Sequence, residues 1–448
     1  MTTVPTQAGP WSSTFRTTTI GIFALAFLVA FESLAVTTVM PVVADDLDGL
    51  RVYGLAFAMP LAVSIFALTL AGPWMDEHGP APAMRIGVAV FAASLVTAGL
   101  APTMTVFLVG RAIQGFGAGL IGVGLYVMIA RLYPAELRPR VFTVLTSAWV
   151  LPALVGPAIA GTVAHLVGWR WVFLGVPLLA LVAAGMLWKS VASITPGGRP
   201  QHDPRRVWWS LIVAAGVLVV SVAGQRDFTG WPLALIAAMV AVIAFAVRLL
   251  PAGTWRLRPG LPGIILLRGL TSTAFFGAEV YVPLSLVHQH SFSPALAGAV
   301  LSCAAVAWFG GSWLAANVGC FDDKPRRARF GILAVAVGVS LSSATLWTAI
   351  PVALAITGWA LAGLGMGMAM STLSVLLLDN SRAGEEGVNS SALQINDAIT
   401  QSLALSLGSA AFAAFLTTQP MLGYLVNFAG AFALGLVATL AAPRLLKP

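Results

Sequence analysis

Apolar stretches about twenty residues long recur from one end of this chain to the other. That is the length an α-helix needs to cross the hydrocarbon of a bilayer, at about 1.5 Å per residue. Fourteen stretches stand out, at about 18–43, 52–75, 84–101, 104–131, 141–166, 169–189, 207–224, 231–250, 263–287, 293–318, 330–349, 351–378, 388–416 and 422–443. Of the 448 residues 58% are hydrophobic and only 9% are charged. A soluble domain carries about a quarter charged residues, so lipid is the solvent this surface suits. Hydrocarbon offers the backbone no partners, and runs of this length satisfy their own hydrogen bonds as helices. The expected fold class is an all-α integral membrane protein with fourteen transmembrane helices.

The basic residues orient it. With the N-terminus inside, Arg51, Arg170 and Arg226 fall in outer loops and Arg111 and Arg268 within spans. The remaining Lys and Arg collect on the other side, which by the positive-inside rule places both termini in the cytoplasm. The net charge of +8 is therefore read as orientation, not as nucleic-acid binding. No cleavable signal peptide is evident, because the first apolar run is too long for a signal core. Cys303 and Cys320 form no disulfide framework, and His78, His165, His202, His288 and His290 have no metal-site spacing. No metal or cofactor is expected.

The segment Thr195–Pro204 is rich in Pro and Gly and breaks the array. The expected organisation is a cytoplasmic tail at 1–17, a six-helix bundle at 18–189, a cytoplasmic linker at 190–206, two additional helices at 207–250 and a second six-helix bundle at 263–443. The two bundles repeat. Gly72-x-x-x-Asp76-x-x-Gly79 and the stretch around Asp322 and Asp323 each follow the second span of a bundle. Gly115-x-Gly117-x-Gly119 and Gly363-x-Gly365-x-Gly367 each lie in the fourth. Those glycines sit inside apolar helices with no preceding strand, so close helix packing explains them and a nucleotide loop does not.

At these residues the chain resembles the major facilitator superfamily, and the 6+2+6 arrangement resembles its fourteen-helix drug:proton antiporter branch. Gly72, Asp76 and Gly79 match the family's loop signature after the second helix. Glu77, Pro80 and Ala81 replace its usual bases, and Arg85 is the candidate substitute. Arg111, Gln114 and Gly115 match the fourth-helix signature in full. In the fifth span Gly156, Pro157 and Gly161 match the antiporter signature, with Pro152 and Ala160 in place of two of its glycines. The resemblance implies two pseudo-symmetric six-helix bundles around a substrate site. It assigns conformational gating to Gly72, Asp76, Gly79, Arg85, Pro152, Gly156, Pro157 and Gly161.

Acids inside apolar spans are costly and usually functional. Glu32 in the first span is the candidate proton carrier, with Arg111 as its partner; the alternative is a permanent structural pair. Glu279 is a second buried acid, for a cationic substrate or a proton. Asp397 lies on a polar face with Asn396, near enough in depth to pair with Arg268. Gln114 and Trp149 complete the candidates for substrate contact.

These residues point to a proton-coupled secondary active transporter exporting small amphipathic or drug-like molecules by alternating access. The expected setting is a bacterial inner (plasma) membrane, with one chain as the working unit and lipid, protons and the small-molecule substrate as its partners. No ATP motif is present, so the gradient supplies the energy. Two other readings are a proton-linked importer and a non-transporting receptor on a transporter scaffold. An enzyme is not expected, since His202 and Asp203, an adjacent His–acid pair, lie in the linker.

Overall fold

The computed structural model describes residues 9–49, 52, 55–197, 203–223, 230–292, 294–318, 323–415 and 419–446. The first part of the expected tail, Arg51, Arg226, linker residues 198–202 and loop residues 319–322 lie outside these. Among the described residues there are sixteen α-helices and no strand. They are α1 (Arg16–Asp46), α2 (Leu55–His78), α3 (Pro80–Gly99), α4 (Met104–Leu132), α5 (Arg138–Val167), α6 (Arg170–Leu174), α7 (Val176–Ala192) and α8 (Pro204–Ala223). The others are α9 (Trp231–Leu249), α10 (Leu261–Glu279), α11 (Tyr281–His290), α12 (Pro294–Asn317), α13 (Lys324–Ser342), α14 (Val352–Asp379), α15 (Glu386–Phe415) and α16 (Pro420–Leu445).

Each expected span is helical, and two are broken by proline. Pro177 has no N–H to give the Phe173 carbonyl, and the sixth span divides into α6 and α7 at Gly175. Pro283 likewise deprives the Glu279 carbonyl of its donor, and the ninth divides into α10 and α11 at Val280. Twelve helices among the described residues, not fourteen, are long and apolar enough to cross a membrane. The other two expected spans are α8 and α15. The first opens on Pro204, Arg205 and Arg206, and the second carries Glu386, Asn389, Gln394, Asn396, Asp397 and Gln401.

The chain divides into two compact units. One comprises residues 1–207 with Ser381–Ser391, the other 208–380 with 392–448. In the first, α4 packs between α2 and α3, while α1 packs on α5 and α7, and α3 on α7. In the second, α14 packs between α12 and α13, while α10 and α13 both pack on α16. The order is the same in each, so the repeat seen in the glycine strings is also a repeat of packing. Gly115 of α4 lies against the Pro60 carbonyl of α2, and Gly363 of α14 against the Ala304 carbonyl of α12. Any side chain at either position would occupy the space of the neighbouring backbone.

Candidate functional site

Glu32 of α1 and Arg111 and Gln114 of α4 form a buried group in the first unit, with Glu32 fully enclosed. Residues three apart share a helix face, so Arg111 and Gln114 reach the same point. The Arg111 guanidinium is divided among three acceptors. Nε donates to the Ala56 carbonyl at 3.1 Å, and Nη1 donates to Glu32 Oε1 at 3.4 Å and to Gln114 Oε1. A tight Arg–carboxylate pair is bidentate, with distances of about 2.8 Å. Here one contact is long and Glu32 Oε2 has no hydrogen-bond partner. An ionised carboxylate left half-paired in such surroundings is costly. Trp149 of α5 is not enclosed with the three; it is 48% exposed.

Helix α5 runs unbroken through Pro152 and Pro157. Its Gly156 and Gly161 face α1, where an added Cβ would lie 3.7 Å from Phe31 and 3.8 Å from Thr38. The antiporter-like string therefore lines the helix that bears Glu32.

A second group lies at the far end of α2. Asp76 is 2% exposed. Its Oδ1 accepts from the Gly387 N–H at 2.9 Å and from Arg131 Nη2 at 2.6 Å, and its Oδ2 accepts from the Val388 N–H at 2.8 Å. These amides belong to the first turn of α15, which has no partners of its own, so Asp76 caps that helix from outside it. Glu386 Oε2 closes the group, accepting from Arg131 Nη2 at 3.2 Å and from the Gly384 N–H at 2.8 Å. Gly72, one turn before Asp76, makes room for the segment: a Cβ there would sit 2.8 Å from the Gly387 carbonyl oxygen. Gly79 takes φ +77 at the turn into α3. Backbone around the turn is tied to the linker, with Gly197 N–H donating to the Asp76 carbonyl at 3.3 Å.

The loop signature thus keeps its acid and its glycines, but the base that meets the acid is Arg131. Arg85 does not substitute. Helix α3 begins at Pro80, so Arg85 lies well inside it, and its guanidinium rests over the Trp188 ring of α7 at 4.0 Å. Arg131 and Glu386 were not singled out as site residues in the sequence. Both read as ordinary loop-end charges, 255 residues apart, and nothing local links them.

In the second unit Arg268 Nε donates to Asp397 Oδ2 at 2.8 Å, as their shared depth predicts. Arg268 Nη1 also donates to Ser374 Oγ, and Ser272 Oγ donates to Asp397 Oδ1 at 3.5 Å. Asn396 Nδ2 donates to the Ile265 carbonyl at 2.8 Å, leaving buried Oδ1 without a partner. Glu279 is not part of this network. Eleven residues along α10 from Arg268, it is about 16 Å away. It makes no hydrogen bond or ion pair among the described residues. It does share a helix face with Phe275 and Phe276, one turn back. Phe275 stacks on Trp359 at 4.5 Å and meets Trp308 edge-on at 5.5 Å. The structure therefore separates the second unit's candidates into a paired acid, Asp397, and an unpaired acid beside aromatic rings, Glu279.

Comparison with known proteins places the fold and its relatives. The human organic anion transporter TETRAN superposes with a TM-score of 0.73 at 14% identity, over 95% of this chain and 99% of that one. The proton:xylose symporter XylE superposes with a TM-score of 0.65 at 16% identity, over 96% and 95%. In sequence the chain is similar to a "probable multidrug-efflux transporter" of Mycobacterium tuberculosis, 27% identical over 403 residues, 85% of this chain and 84% of that one. It is also similar to a multidrug transporter protein of Bacillus subtilis, 24% identical over 84% of this chain and 71% of that one. The family description Major Facilitator Superfamily matches residues 22–405, and the chain belongs to that family of multi-pass membrane transporters.

Proposed function

We propose that the chain is a proton-coupled exporter of small amphipathic molecules, working by alternating access as a single chain in the bacterial inner membrane. The observation that carries this reading is the Glu32 group: a fully buried carboxyl with one oxygen touched by Arg111 and the other unpartnered. Such an acid exchanges a proton when water reaches it and holds its state when water is excluded. Gln114 fixes the direction of the guanidinium. The names of the multidrug relatives support the substrate class and the outward direction.

In this mechanism Glu32 carries the proton and Arg111 stabilises its ionised form. Glu279 attracts a cationic substrate against the Phe275 and Phe276 face, and Asp397, Asn396 and Trp149 serve as further polar or aromatic contacts. Gly72, Asp76 and Gly79 form a latch with Arg131 and Glu386 that opens and closes during the cycle, while Pro152, Gly156, Pro157 and Gly161 shape α5 against α1. Fourteen crossing helices, α8 and α15 included, put both termini in the cytoplasm. Impermeant thiol labelling of Gly230→Cys from outside, with Ser193→Cys and Ala252→Cys protected, tests that topology in a background without native cysteines.

The coupling is tested by adding tetraphenylphosphonium to purified protein in weakly buffered detergent. Proton release from the unmodified chain, absent in Glu32→Gln, is the expected result. Undiminished release from Glu32→Gln would move the proton site to Glu279 or Asp397 and defeat the mechanism.

A further inference from the structure

Arg85 is left without a gating partner, and the surface around it has a shape of its own. An apolar groove runs between α3 and α7, with Met84, Val88, Leu181, Ala184 and Gly185 on its walls and Arg85 and Trp188 among its lining residues. Its volume is about 200 Å³. On α7 the lining positions 181, 184, 185 and 188 recur at helical spacing, so they form one face. The flanks are apolar and outward-facing: Ile86 is 44% exposed, Leu178 69% and Val182 59%. In a membrane-crossing helix such a face lies against acyl chains.

The basic end of the groove is specific in kind. Arg85 lies about 7 Å along α3 from its start at Pro80, and Trp188 about 6 Å from the end of α7 at Ala192. Both are therefore at the depth where chains give way to headgroups, and Trp is favoured there. The Arg85 guanidinium spends its flat face on the indole at 4.0 Å. A stacked guanidinium keeps its N–H edges free, and those edges match a phosphate in pairs. Arg85 makes no hydrogen bond or ion pair among the described residues, so its edges meet no acceptor there. Lys189, next to Trp188 and exposed, adds a second positive charge, and the end of the unit holding Arg131 and Arg138 is basic as a whole.

We propose that this groove is a binding site for an anionic phospholipid of the leaflet on that basic side. The phosphate sits on the Arg85 edges, with Trp188 holding the guanidinium in place, and one acyl chain lies in the groove past Gly185. The charge pattern favours an anionic over a zwitterionic headgroup, because a basic pocket between helices selects net negative charge. Gly185 is the point where the chain would pass, since a Cβ there meets nothing within 4 Å. A larger side chain at 185 fills the groove without disturbing the helix contacts.

The test is native mass spectrometry of the delipidated full chain in non-ionic detergent, titrated with phosphatidylglycerol or with phosphatidylcholine of the same chains. The unmodified protein should bind the first about tenfold more tightly. Arg85→Gln should lose that preference while its elution and melting stay unchanged. Gly185→Leu should lose both lipids although Arg85 remains, and millimolar inorganic phosphate should not displace the bound lipid. Retained preference in Arg85→Gln, retained binding in Gly185→Leu, or displacement by phosphate alone would each overturn the proposal.

Discussion

Asp76→Asn isolates the contacts that hold Ser381–Ser391 in the first unit. Asn has the same size, but only one of its two terminal atoms accepts. One of the amide bonds at 2.8 and 2.9 Å is lost, and Arg131 loses its ion pair at 2.6 Å. The two side chains are 3% and 11% exposed, so screening by solvent takes little from the effect. A hydrogen bond to a charged group contributes about 1.5–3 kcal/mol, and cutting one partner from a buried pair costs about 3–5 kcal/mol. Glu386 remains 3.2 Å from Arg131 and offsets part of the loss. Roughly 3 kcal/mol of local docking free energy should disappear, which is a factor of about a hundred in opening. Hydrogen exchange read by mass spectrometry on peptides covering 384–391 measures that opening directly. Protection of Gly387 and Val388 should fall by about two orders of magnitude while peptides of α3 stay unchanged. Protection within about threefold of the unmodified protein would refute the cap.

Three further outcomes follow from the same geometry. Glu279→Gln should weaken export of lipophilic cations about tenfold or more and spare neutral compounds, measured as drug susceptibility in a pump-deleted host; equal loss for both would remove Glu279 from cation recognition. Gly115→Ala should destabilise the first unit by about 1–3 kcal/mol, because its Cβ falls on the Pro60 carbonyl, whereas Gly185→Ala should melt like the unmodified protein in detergent. The hydrogen bonds from Trp169 and Arg170 hold the Asp46 carboxyl below its ordinary value. Its contribution is therefore complete above the unfolded pKa and is lost as pH falls through the folded one. Asp46→Asn should flatten that acid-side decline in an acid titration of thermal stability, and an unaltered decline would assign it to other carboxylates.

The helices were legible because lipid enforces one rule on every span: each expected apolar stretch is helical, and twelve helices among the described residues are long and apolar enough to cross. The breaks were harder. Pro60, Pro73, Pro152 and Pro157 sit inside continuous helices, while Pro177 and Pro283 end them, so proline alone does not decide. Neighbouring helices settle which freed carbonyl is tolerated, and that information is not local. Glu32 with Arg111, and Asp397 with Arg268, could be paired from depth because a charge in hydrocarbon needs a partner. The Asp76 group resisted the same reasoning. Arg131 and Glu386 lie at helix ends where charges are common, so their burial and pairing come only from the folded chain. Arg85 failed for a related reason: its distance from the signature was read along a loop, whereas the chain there is already helical and turns the side chain toward α7.

The contact of Gly115 with Pro60, and its counterpart of Gly363 with Ala304, has a consequence for how such a protein changes over generations. Two rods that touch along their backbones cannot slide or twist past each other without first being pried apart. Each pair, α2 with α4 and α12 with α14, therefore behaves as a single beam. Variation at its seam costs stability and is silent about cargo. New substrates must be acquired through residues on faces that no beam uses, leaving the scaffold constant while the chemistry of the passage drifts.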